Sequence, residues 1–109
     1  MRGKDLSEAA ASTVIRQRLA RLQSRGWIEL AALPAWSTED VMIEGLQSHV
    51  TTYVDAPEQD RRWIVVELCT HDEPVLRIFR HRQCFVDGFE IRASGETRPL
   101  REEEMDKYM

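Results

Sequence analysis

Trp63-Ile-Val-Val-Glu-Leu-Cys69 is the stretch on which the fold turns. Its tryptophan, isoleucine and valines favour a pleated strand, because side chains branched at Cβ crowd the preceding turn of a helix but stand freely off a sheet. From Arg62 onward the period of the chain therefore changes from helical to strand-like. Downstream, His71-Asp-Glu-Pro74 has turn composition and Val75-Leu-Arg-Ile-Phe79 resumes the strand pattern, which predicts a hairpin. Val86-Asp-Gly-Phe89 sets Asp-Gly between apolar flanks and predicts a second one, since both central residues of a type I′ turn need positive φ. Phe89-Glu-Ile-Arg-Ala93 alternates as a half-buried strand does. Pro99 then precedes a short helix from Arg101 to Tyr108, whose Met105 and Tyr108 are placed to pack back on the sheet.

Upstream of that stretch the pattern reads as two helices. The first runs from about Asp5 to Arg25, where Asp5-Leu-Ser-Glu8 has capping-box spacing and Ala11, Ile15, Leu19 and Leu22 share one stripe. Gly26 supplies the left-handed residue that commonly ends a helix. Trp27 to Leu33 reads as a short strand closed by Pro34. Ser37-Thr-Glu-Asp40 opens the second helix with an acidic first turn, Ile43, Leu46, Val50 and Val54 form its buried face, and Pro57 stops it. The expected fold class is thus α+β: two helices, an antiparallel meander of three to four strands and a short C-terminal helix, in a single domain over residues 1–109.

Composition narrows the class further. With 109 residues, 42% of them hydrophobic, the chain is near the modal domain size and should bury roughly two-thirds of the surface its unfolded form exposes. No apolar run approaches the roughly 20 residues a membrane span needs. The N-terminal residues lack a signal-peptide pattern, and two cysteines, Cys69 and Cys84, make no disulfide framework, so the expectation is a cytoplasmic protein with reduced thiols. The net charge of −4 hides an asymmetry: residues 1–27 are +4, carried by Arg2, Lys4, Arg16, Arg18, Arg21 and Arg25 against Asp5 and Glu8, and the remainder is −8.

Cys69-x-His71 and His81-x-x-Cys84 invite a zinc reading, because two thiolates and two imidazoles make a tetrahedral set. A hairpin turning at residues 71–74 argues against it, since it places Cys69 opposite about Leu76 and His81 opposite about Ile64, roughly 16 Å apart along the strands. Neither a metal nor a cofactor is expected. Cys69 and His71 share a strand face beside Asp72, but no element of the pattern distinguishes them from any strand cysteine, and there is no phosphate-cradling glycine loop. The sequence is therefore read as non-enzymatic.

Ser12-Thr-Val-Ile-Arg-Gln-Arg-Leu-Ala-Arg-Leu-Gln-Ser-Arg-Gly-Trp-Ile28 resembles the recognition helix and first wing strand of winged helix-turn-helix DNA-binding proteins. The resemblance implies that Arg18, Arg21 and Arg25, on one flank of the helix, meet phosphates or guanine edges. It covers about one-sixth of the chain, no turn precedes the helix, and Pro34 occupies the place of a returning wing strand. The preferred reading is a protein-binding module. Trp36, between Pro34 and Ser37, is the tryptophan most exposed by this pattern. Asp40 and Glu44 point away from the Ile43-Leu46-Val50 stripe, giving an acidic face suited to the basic surface of a partner protein.

Overall fold

The computed structural model describes residues 6–70, 73–75, 79–81 and 83–108, the two short segments by their backbone alone. Helix α1 spans Glu8–Gln23 and begins at Ser7, whose hydroxyl accepts from the Ala10 amide at 3.1 Å. Asp5, the cap expected from sequence, lies outside the described residues. The stripe Ala11, Ile15, Leu19 and Leu22 is buried as its spacing predicts. Gly26 does not end α1. It is the residue before α2, Trp27–Ala31, a single turn where the sequence reads as a strand. A strand here would lack a neighbour, whereas one helical turn satisfies its backbone internally through Leu30 N to Gly26 O at 3.1 Å and Leu33 N to Leu30 O at 3.2 Å. It also drives Leu30 into the core, a burial worth about 1.5–3 kcal/mol.

The second helix is absent. Its residues form strands β1, Trp36–Ile43, and β2, Leu46–Glu58, joined by Glu44 and Gly45 at φ 52° and 78°. Two consecutive positive φ values make this a two-residue type I′ hairpin. The sequence pattern misleads because a spacing of four satisfies both periods: Leu46, Val50 and Val54 line one face of a helix and equally one face of a strand. The three-residue step from Ile43 to Leu46 is not a helical interval but the turn itself, across which the two residues pair directly.

β3 covers Arg61–Thr70, β4 Glu73–Val75, β5 Phe79–His81, β6 Cys84–Arg92 and β7 Thr97–Pro99. The main sheet is antiparallel and five-stranded, in the order β1-β2-β3-β6-β7, rather than the three to four strands expected. The partner of β3 is β6, with Cys69 opposite Cys84, while β4 and β5 pair only with each other as an excursion between them. The expected hairpin turn at residues 71–74 is therefore not the one that sets the register of β3. Nor is Asp87-Gly88 a turn, for both residues lie inside β6, opposite Val66 and Val65.

β3 alternates between two cores. Ile64, Val66 and Leu68 face α1 and α2, in a cluster with Ile15, Leu30 and Phe89. Val65 faces the other way, against Leu100 and Met105, with Tyr53, Trp63, Val86 and Tyr108 around them. Helix α3, Glu102–Met105, and the 3-10 turn Asp106–Tyr108 thus cap the second face, as the sequence predicts for Met105 and Tyr108. Burial on both faces explains why Trp63 to Cys69 reads as a nearly continuous apolar run.

Gly88 is needed where that second face closes. A Cβ there would stand 2.6 Å from the Ile64 carbonyl oxygen, 3.1 Å from Leu100 Cδ1 and 3.2 Å from Val65 Cα. The first and last of these are backbone atoms of β3 and cannot rotate aside. Gly88→Ala is expected to lower stability by about 1–3 kcal/mol, read as a lower midpoint of chemical denaturation with an unchanged slope. A midpoint equal to the parent's would refute this account of the close approach.

Candidate functional site

The outer edge of β1 is left open by the fold. β1 has β2 on one side and, among the described residues, no strand beyond it. Val54 N donates to Ala35 O at 2.8 Å, so odd-numbered residues of β1 bond inward, and alternation turns the main-chain groups of Trp36, Thr38 and Met42 outward. Their side chains, with that of Asp40, share the sheet face opposite α1. Trp36 is 65% and Met42 62% exposed, and Asp40, Val41, Met42, Gln47 and Ser48 line a shallow cleft of about 260 Å³. Thr38 is held by a 2.9 Å hydroxyl contact to Thr51 on β2.

The whole hairpin is acidic. Between Pro34 and Asp60 stand Glu39, Asp40, Glu44, Asp55, Glu58 and Asp60, with no lysine or arginine. Several of these carboxylates have structural tasks. Glu44 is exposed as expected, but in the β1–β2 turn rather than on a helix, and it accepts from the Ser7 amide at 3.1 Å and the Ser7 hydroxyl at 3.0 Å, tying that turn to the start of α1. Glu39 bonds Arg18, which holds its carboxyl below the ordinary value. Asp55 takes a hydrogen bond from Tyr108 and a 2.9 Å ion pair from Lys107; burial pushes its carboxyl up, but these contacts outweigh it and leave it lowered. Asp40 is solvent-exposed on the edge itself.

Of the residues singled out from sequence, Trp36 and Asp40 come together on the β1 edge, though on a strand rather than on a loop and a helix. Arg18, Arg21 and Arg25 also come together, lining a groove of about 180 Å³ with Leu33, Pro34, Ser37 and Thr52. The winged-helix expectation fails in its second part, because Trp27 and Ile28 start a helix and not a wing strand. Nothing in the helical reading of this segment marks Thr38 and Met42. The Glu44-Gly45 pair between β-branched runs is the signal that finds them, since it puts Trp36, Thr38, Asp40 and Met42 on one parity.

Cys69 and Cys84 are joined in a disulfide, contrary to the expectation of reduced thiols five residues out of register. The reason is the β3–β6 pairing, which sets them face to face with Cα atoms 4.2 Å apart. Cys69 is fully buried and Cys84 half-buried. His71 and Asp72, the companions considered for Cys69, lie outside the described residues, as does the side chain of His81. No protein family, curated protein or solved structure matches this chain.

The other end of the sheet is closed by charge. Glu90, 1% exposed, accepts from Trp63 Nε1 at 3.1 Å and from Arg98 Nη2 and Nε at 3.2 Å each. Arg98 also forks onto Glu104 at 2.9 and 3.0 Å, joining β6, β7 and α3. Burial pushes the Glu90 carboxyl up, but the Trp63 and Arg98 hydrogen bonds outweigh it and leave it below its ordinary value. Arg98, with the Arg101 amide, holds Glu104 down at about 2 from an ordinary 4.5. A carboxylate with a lowered folded-state pKa contributes stability above its unfolded value and loses it as pH falls toward the folded one. The melting temperature is therefore expected to fall as pH drops from about 5 to about 2, and to fall less steeply in Glu104→Gln, which should already be less stable at neutral pH. Parallel pH profiles for the two proteins would contradict this assignment.

Proposed function

We propose that the chain is a non-enzymatic protein-binding module that takes an extended, basic segment of a partner protein as a sixth strand on the outer edge of β1. The observation that carries the reading is an eight-residue edge strand with exposed Trp36 and Met42, in a hairpin that bears five carboxylates and no lysine or arginine. Strand addition draws affinity from main-chain hydrogen bonds and specificity from alternate side chains. Here the alternate positions demand an apolar residue beside Met42, a basic one beside Asp40, a small one beside Thr38 and an apolar one beside Trp36. Opposite charges paired across strands contribute roughly 0.2–1 kcal/mol, and the surrounding negative potential raises the association rate.

A second copy of the chain fits the edge less well. Antiparallel self-pairing along the full strand brings Glu39 and Asp40 of both copies close to the twofold axis, and like charges facing one another are destabilising. Nucleic-acid contact through Arg18, Arg21 and Arg25 is the alternative, supported by their shared groove. Against it stands Glu39, a carboxylate bonded to Arg18 within the basic flank.

A short peptide whose every second residue runs valine, lysine, serine, valine, with threonine between them, titrated against the protein by NMR, is expected to shift the amide resonances of residues 36–42. The same peptide with glutamate for lysine should bind at least about tenfold more weakly. Thr38→Pro removes an outward donor and the hydroxyl contact to Thr51 while leaving the backbone ladder to β2 in place, and is expected to weaken binding about fivefold to tenfold with the folded state kept at a melting temperature only slightly lower. Equal affinity for both peptides, or a Thr38→Pro variant that folds and binds like the parent, would overturn the reading. A gel shift with duplex DNA that is lost at high salt and on replacing the three arginines would favour the alternative.

A further inference from the structure

The register that joins Cys69 to Cys84 also assembles a metal donor set. Glu67 and Cys69 are two apart on β3 and project to the same face, and Cys84 lies directly across from Cys69 on β6. One carboxylate oxygen and the two sulfurs lie within 4.8 Å of one another. We propose that in the reduced protein Glu67, Cys69 and Cys84 bind a zinc ion. The hairpin register expected from sequence forbade such a site by separating the half-sites along the strands, and the observed β3–β6 pairing removes that obstacle.

Zinc bonds of about 2.3 Å to sulfur and about 2.0–2.2 Å to a carboxylate set neighbouring donors of a tetrahedron roughly 3.3–3.8 Å apart. Side-chain rotation at the two cysteines, with little backbone movement, brings an ensemble of atoms already within 4.8 Å to that spacing. Two thiolates with one carboxylate select zinc over magnesium or calcium, which prefer an all-oxygen shell. Glu67 itself points to a cation. It is 8% exposed, and among the described residues its one hydrogen-bond partner is the Tyr53 hydroxyl at 3.3 Å, little compensation for a carboxylate taken out of water.

Access comes from the β6 side. Cys84, half-buried, lines a groove of about 410 Å³ with Ser12, Arg16, Val86 and Met105, so the disulfide is approached at its Cys84 end. An exogenous thiolate attacks Cys84 Sγ, the disulfide breaks, and Cys69 leaves as a thiolate. A second exogenous thiolate then attacks the outer sulfur of the mixed disulfide, releasing Cys84 as a thiolate and one molecule of oxidised exogenous disulfide. Two electrons pass to the protein, and the two thiolates receive the zinc ion in place of protons.

The test is a metal titration of the full chain, reduced with a phosphine without oxygen and left oxidised in parallel. Cobalt(II) serves as the spectroscopic probe and zinc as its competitor. The reduced protein is expected to keep its far-ultraviolet circular dichroism, to take up one equivalent of cobalt with a thiolate-to-metal charge-transfer band, and to lose that band to one equivalent of zinc. The oxidised protein should give no band. Glu67→Gln, which keeps both cysteines, is expected to weaken zinc binding at least about tenfold. A reduced, folded protein without the band, a reduced protein that unfolds, or a Glu67→Gln variant that binds zinc as tightly as the parent would each overturn the proposal.

Discussion

Strand β3 is apolar on both faces, and a strand of that kind is stable only where both faces are covered. The requirement organises the rest of the chain. One face takes the stripe of α1 together with Leu30 of α2, and the other takes Leu100, Met105 and Tyr108 from the C-terminal segment. Neither cover is large, so each is fastened by polar contacts at its ends. Glu44 bonds the helix start at Ser7, and Arg98 and Asp55 hold the C-terminal segment through Glu104, Tyr108 and Lys107. At Gly88 the backbone of β3, with Leu100 of the second cover beside it, leaves no room for a side chain.

Covering the centre in this way leaves the sheet asymmetric at its edges. β7 and the ion network around Glu90 protect the far side of β6 from Phe89 to Ile91. β1 has no counterpart, and exposed edge strands are commonly blunted by charge because they template further pairing. The carboxylates of the β1–β2 hairpin, with no lysine or arginine among them, give this edge a charge of one sign, and the proposed partner segment carries the opposite one.

The disulfide belongs to this architecture too. Cys69 is fully buried on the face opposite α1, near the end of β3, and the covalent bond to Cys84 secures the strand pair there. Its neighbour Glu67 is buried by the same packing, so a group that would be solvated on an ordinary edge is placed beside two sulfurs. The juxtaposition is a product of register, two strands apart in the chain and adjacent in space.

Local chemistry was enough to read α1, β3, the strand around Phe89 to Ile91 and the packing of Met105 and Tyr108, because each is set by a period or a cap within a few residues. Residues 37–56 and Asp87-Gly88 mislead for reasons that are also local: a spacing of four belongs to both periods, and Asp-Gly suits a turn or a close approach equally well. Trp36 and Asp40 could be recognised as exposed, but not as members of one strand edge with Thr38 and Met42. Register is decided by which faces must be buried together, a property of the whole sheet. Only the tertiary structure therefore paired β3 with β6, brought Glu67, Cys69 and Cys84 together and left β1 at the margin, since those placements depend on what covers β3 and not on what any segment prefers alone.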